Sequence, residues 1–150
     1  MNAAHSAGAR ADRLLADLGL DAGMLEHFQG FLGALDDPPA VPVRVLTLCR
    51  ARVAALHGLA PAAADVPALA DQDLDALRRG ALECFDAAER AALALVENLC
   101  FQPHAMSDAA VQDCAQAFGA EGTVGLMTAI AFADVDCRLR RTLPAAADQN

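Results

Sequence analysis

The stretch Phe85-Asp86-Ala87-Ala88-Glu89-Arg90-Ala91-Ala92-Leu93-Ala94-Leu95-Val96-Glu97 decides how this chain folds. Asp86 followed three residues later by Glu89 is a helix-start pattern, in which the cap carboxylate accepts backbone N–H bonds that the first turn cannot otherwise satisfy. Leu93, Val96, Leu99 and Cys100 then recur at helical spacing until Pro103 closes the segment. Alanine and leucine, both strong helix formers, dominate here and elsewhere, and consecutive β-branched residues that would support strands are few.

Working towards the N-terminus, residues 71–79 carry acids at the start and Arg78 and Arg79 at the end, as the helix dipole prefers, with Gly80 as the stop. Pro42 suits the first turn of a helix through Val45, Leu48, Cys49, Val53 and Leu56 to His57, stopped by Gly58 and Pro61. Asp21 caps a helix through Met24, Leu25, Phe28 and Leu32 to Leu35, which Asp36-Asp37-Pro38-Pro39 terminates. A first helix is expected over 11–18, with Leu14, Leu15 and Leu18 on one face. Towards the C-terminus, Ser107 caps a helix through Val111, Cys114 and Phe118 that Gly119 ends. The last helix, 121–143, has Val124, Leu126, Met127, Ile130, Ala131, Phe132 and Val135 nearly all round its circumference and must be enclosed, by its own neighbours or by a subunit interface. The expectation is a single all-α domain of about six to seven helices over 1–150.

A chain of 150 residues, 55% of them apolar and 21% charged, buries a core without disulfides or a structural metal and lies outside the composition of disordered chains. The net charge of −9 repels phosphate backbones and anionic lipid, and the basic residues, all arginine, form no stripe, so nucleic acid is not an expected partner. No cationic leader precedes an apolar run in residues 1–11, and the longest apolar-rich stretch, 123–133, falls short of the roughly 20 residues of a membrane span. A cytoplasmic protein without a membrane segment is expected. The five cysteines are odd in number and lack the paired spacing of zinc or thioredoxin-like centres, which suits a reducing compartment.

From about 42 to 143 the chain resembles the carboxymuconolactone decarboxylase and alkylhydroperoxidase AhpD-like superfamily. The resemblance rests on the words at 85–97 and Asp136-Cys137-Arg138-Leu139, with a Ser107-Asp108 cap and Phe118 between them. It implies an AhpD-like helical bundle, a homo-oligomer, and an N-terminal helical extension over 1–35. Active members of the family carry Cys-x-x-Cys-x-x-x-His, and His57 in Ala54-Ala55-Leu56-His57-Gly58 occupies the histidine position. Four and seven residues before it stand Val53 and Arg50, and neither is a thiol. Cys49 lies one residue further back, a rotation of about 100° around a helix, and Arg52 stands where its partner thiol would be. The family's hydroperoxide reduction needs one thiolate to attack oxygen and a second thiol to resolve the sulfenic acid. That cycle does not close here, and the upstream relay glutamate also has no match, since Pro38 occupies its position.

Four residues remain as site candidates. His57 is a candidate general acid or base, or alternatively a cap for the carbonyls of its own helix. Cys49 is either a thiol activated by Arg52 and Arg50 or a core side chain. Arg50 and Arg52 offer carboxylate-binding guanidinium groups, but at i and i+2 they point to different faces. Asp134 and Arg138, four apart in the favourable order, and Arg44 read as salt-bridged residues. Cys100 and His104 have ligand spacing, but Pro103 interrupts the helix between them, so no metal or other cofactor is expected. The leading expectation is an AhpD-like protein without peroxidase chemistry that keeps a small-molecule pocket near His57. The alternatives are a hydroperoxide reductase using Cys49 and His57 with an external thiol, and a lactone decarboxylase working by acid–base chemistry.

Overall fold

In the computed structural model, which describes residues 21–61 and 69–142, helices begin and end at the residues whose side chains can terminate them. Asp21 Oδ1 accepts from the N–H groups of Gly23 and Met24 at 2.9 and 3.0 Å and opens α1, Ala22–Leu35. The chain turns through Pro38, Pro39 and Ala40, the last at φ 61°, into α2, Val43–Leu56. Pro42 stands at the N-cap of α2, one residue ahead of the expected first-turn position. Next comes α3, Asp71–Arg79, with Asp71 and Asp73 in its first turn and Arg78 and Arg79 in its last. Gly80, left-handed at φ 72°, ends it at little steric cost.

After a 3-10 turn at Leu82–Cys84 comes α4, Ala87–Phe101. The expected capping box is complete: Glu89 N donates to Asp86 Oδ1 at 2.8 Å and Asp86 N donates to Glu89 Oε2 at 3.1 Å. A second 3-10 turn, Pro103–Ala105, leads to α5, Asp108–Thr142, where Ser107 Oγ accepts from Ala110 N at 3.3 Å. Gly119 interrupts α5 as expected: its φ of 72° and ψ of 172° are non-helical, so α5 consists of two helical parts that meet at a kink there. No strand occurs among the described residues. The helix expected over 11–18 lies outside them.

Two apolar clusters hold the helices together. The larger takes Leu32 and Leu35 from α1, Leu46 and Val53 from α2, Leu95 and Val96 from α4, and Leu126 and Ile130 from α5. The smaller joins Leu48 and Ala51 of α2 to Leu77 of α3, Phe85 and Leu93. Full burial of such a side chain contributes about 1.5–3 kcal/mol. Because α2 lies between the two clusters, all of residues 45–54 except Arg50 are buried.

On α5 the core face includes two glycines under the turn between α1 and α2. A Cβ at Gly125 would lie 2.8 Å from Pro38 Cβ, and one at Gly122 would lie 3.0 Å from Pro39 O. The opposite side of α5 is not enclosed by the described residues: Val124 and Val135 are 64% and 46% exposed, and Ala131 is exposed too. By length and composition α5 is long and apolar enough to cross a membrane, and 33% of its most apolar window is buried inside the chain.

Candidate functional site

Where α2 ends, its last carbonyls are served by backbone. His57 N donates to Val53 O and Ala54 O at 3.2 and 3.1 Å, and Gly58 N to Ala55 O at 3.0 Å. The imidazole therefore does not cap its own helix. It reaches instead to α5, where Nε2 donates to Asp134 Oδ1 at 2.6 Å. The other carboxylate oxygen of Asp134 accepts from Arg138 Nε at 2.7 Å, so the expected Asp134–Arg138 pair forms and His57 joins it. Burial pushes the Asp134 carboxyl up, but the hydrogen bonds and charges of Arg138 and His57 outweigh it and hold the group below its ordinary value. An ionised carboxylate only accepts, so the proton of a neutral ring stays on Nε2 and Nδ1 keeps its lone pair. The His57 and Asp134 side chains retain 13% and 17% exposure, which leaves the pair reachable from solvent.

Cys100, at the end of α4, belongs to the same neighbourhood. Its thiol is pushed up to about 12, by burial first and then by the Asp134 charge, with the Arg138 guanidinium opposing and Cys137 adding to the rise. A thiol in that state is a poor nucleophile at neutral pH. All five cysteines are free thiols.

The other three candidates lie elsewhere. Cys49 is 1% exposed in the larger cluster, and burial pushes its thiol far above the ordinary range, with the nearby Cys114 adding to the effect and Arg50 opposing it. Arg50 turns to the end of α1, where Nη2 donates to Asp36 Oδ1 at 2.5 Å and to Leu35 O at 3.4 Å. Arg52, 8% exposed, turns the other way, as the i, i+2 spacing requires. It donates through Nη1 to Leu77 O near the end of α3 and through Nη2 to Glu97 Oε1 at 2.5 Å. Both guanidinium groups are therefore engaged by carboxylates and carbonyls of the chain itself. Arg44 links α2 to α3 and α4, its Nη1 bonding Asp73 Oδ2 at 3.0 Å and its Nε bonding Glu89 Oε1 at 2.7 Å.

The structure thus joins His57 to Asp134 and separates it from Cys49, Arg50 and Arg52. An open groove of about 580 Å³ runs between α4 and the first half of α5, lined by Ala87, Ala91, Arg90, Asp113 and Gln116 among others, and none of the four candidates lines it. Among the described residues no group of three or more His, Cys, Asp or Glu side chains is placed to hold a metal. Asp134 is the site residue that sequence reasoning missed as a partner of His57. Its one local signal was the i, i+4 arginine, which marked it as paired without indicating what else it holds. No family model, characterised protein or solved structure matches the chain.

Proposed function

We propose that this is an AhpD-like, homo-oligomeric, cytoplasmic protein that has lost Cys-x-x-Cys peroxidase chemistry and keeps His57, with Asp134 behind it, as the polar element of a small-molecule site. One observation carries the reading: the side chains at the two positions where the resemblance places thiols are spent on the fold. Val53 is fully buried in the larger cluster, and Arg50 is paired to Asp36. Cys49 offers neither access nor a stabilised thiolate in their place. The ionised Asp134 fixes the tautomer and orientation of the imidazole, and a ring held this way can take up a proton at Nδ1. Acid–base chemistry on a bound small molecule is therefore the enzymatic reading that the geometry favours over thiol chemistry.

The test is to treat the reduced protein with a slight excess of an alkyl hydroperoxide and follow free thiols and intact mass. Slow oxidation spread over several cysteines is expected. Fast, stoichiometric oxidation confined to Cys49 or Cys100, abolished by the corresponding Cys→Ser variant, overturns the reading.

A further inference from the structure

The exposed side of α5 carries a repeat that the other described helices leave uncovered. Glu121, Val124, Thr128, Ala131, Val135, Arg138 and Thr142 alternate in steps of three and four, the heptad spacing that keeps one seam facing a partner helix. All are exposed except Thr128, which is half-buried and spends its hydroxyl on Val124 O at 2.8 Å, leaving its methyl group to the surface. The ends of the seam have opposite charge: Glu121 lies at the N-terminal end, while Arg138 and Arg141 lie at the C-terminal end. The middle is apolar and small.

We infer that this seam pairs with the same seam of a second copy, the two α5 helices running antiparallel about a two-fold axis at Ala131. In that register Ala131 meets Ala131 where the helices cross, and its small side chain permits an approach near the short end of the roughly 8–10 Å range of packed helices. Thr128 then packs on Val135, and Val124 lies on the aliphatic part of Arg138. Glu121 of each copy faces Arg141 of the other. Parallel pairing would set Glu121 against Glu121 and Arg141 against Arg141, so the charges select the antiparallel arrangement. A second copy is the fitting partner because the seam complements itself when reversed, as an isologous interface must. This inference rests on the homo-oligomer proposed above and gives it a location.

The decisive experiment uses two surface variants of the full chain, Glu121→Arg and Arg141→Glu, each checked for unchanged helical circular dichroism. Analytical ultracentrifugation at micromolar concentration reads their assembly. Each variant alone is expected to dissociate at least ten-fold more readily than the parent, and an equimolar mixture is expected to recover parental assembly, because the altered charges then face opposite signs. In parallel, Ala131→Cys under mild oxidation is expected to give a dimer whose linking peptide joins position 131 to position 131. An oligomer that both variants leave intact, or that the mixture fails to restore, overturns the seam while leaving a homo-oligomer in place. A parent protein that sediments only as a 15.5 kDa particle overturns both, and assigns the face to another part of the chain or to a different protein.

Discussion

Replacing glycine by alanine should change the stability of this protein in opposite directions at different helical positions, and the sign follows from what the added methyl meets. Gly30 and Gly33 lie on the exposed side of α1, and a Cβ at either has nothing within 4 Å. Alanine there gains the full helix preference, about 0.4–1 kcal/mol, largely by restricting the unfolded chain. At Gly125 the same preference applies, but the new Cβ lies 2.8 Å from Cβ of the buried Pro38, a rigid ring that has no flexible end to yield. Overpacking of this kind costs about 1–3 kcal/mol, which outweighs the propensity gain and leaves a net loss of up to about 2 kcal/mol. For a chain of this length, 1 kcal/mol moves the melting temperature by about 2–4 °C. Gly30→Ala and Gly33→Ala should each raise Tm by up to about 4 °C, and Gly125→Ala should lower it by up to about 8 °C. Thermal unfolding followed by circular dichroism under reductant measures all three. A Gly125→Ala protein that melts at or above the parent temperature refutes the close approach of the turn to α5. Alanines on α1 that destabilise refute the open surroundings of Gly30 and Gly33, since nothing within 4 Å can offset the gain.

The remaining predictions concern the charged side chains on α2 and its end. Arg52→Met keeps the aliphatic stem but strands the Leu77 carbonyl, and should cost about 1.5–3 kcal/mol in urea unfolding, since hydrogen bonds from a charged donor carry that weight. The Glu97 pairing adds less than about 1 kcal/mol of this because that carboxylate is 41% exposed, and a loss within 0.5 kcal/mol, about the spread of a neutral surface change, would count against the assignment. Asp134→Asn should destabilise at neutral pH. The folded carboxyl is held below its ordinary value, so its contribution is complete above about pH 4 and is lost as pH falls through the folded value. The gap between parent and variant should therefore close on acidification, and a gap that widens between pH 5 and pH 3 contradicts the bonding of the Asp134 carboxylate to His57 and Arg138.

Helix ends were legible because each is written in a few adjacent residues. Asp21, the Asp86–Glu89 box, Ser107 and Gly80 all act within four residues of themselves, and each does so in the structure as the pattern implies. Gly119 likewise breaks the helix where the pattern places it, with φ of 72° and ψ of 172° outside the helical region. The enclosure of α5 was half-read: its apolar circumference was evident, but only the fold tells which side meets α2 and α4 and which side stays bare. The candidate site was legible at one residue. His57 finds Asp134 77 positions away, and no local pattern encodes that distance. Gly122 and Gly125 did carry a usable signal, since two glycines one turn apart in an apolar helix mark a close approach by another backbone.

The arginines of α2 explain why Cys49 is held inward on this helix. A redox couple needs a face that peroxide can reach, whereas α2 is packed between two clusters and opens to solvent mainly at its ends. Charges placed within such a helix must be satisfied by neighbours, since a buried unpaired guanidinium costs several kcal/mol. Arg50 therefore ties α2 to the end of α1, Arg52 ties it to the end of α3 and to α4, and Arg44 bridges α3 and α4 from the first turn. Each pairing fixes the rotation of α2 about its axis, so a thiol at position 49 cannot turn outward without breaking at least one of them. Beyond the last turn, backbone caps replace side-chain contacts. His57 stands at that point, and its imidazole binds a carboxylate on another helix.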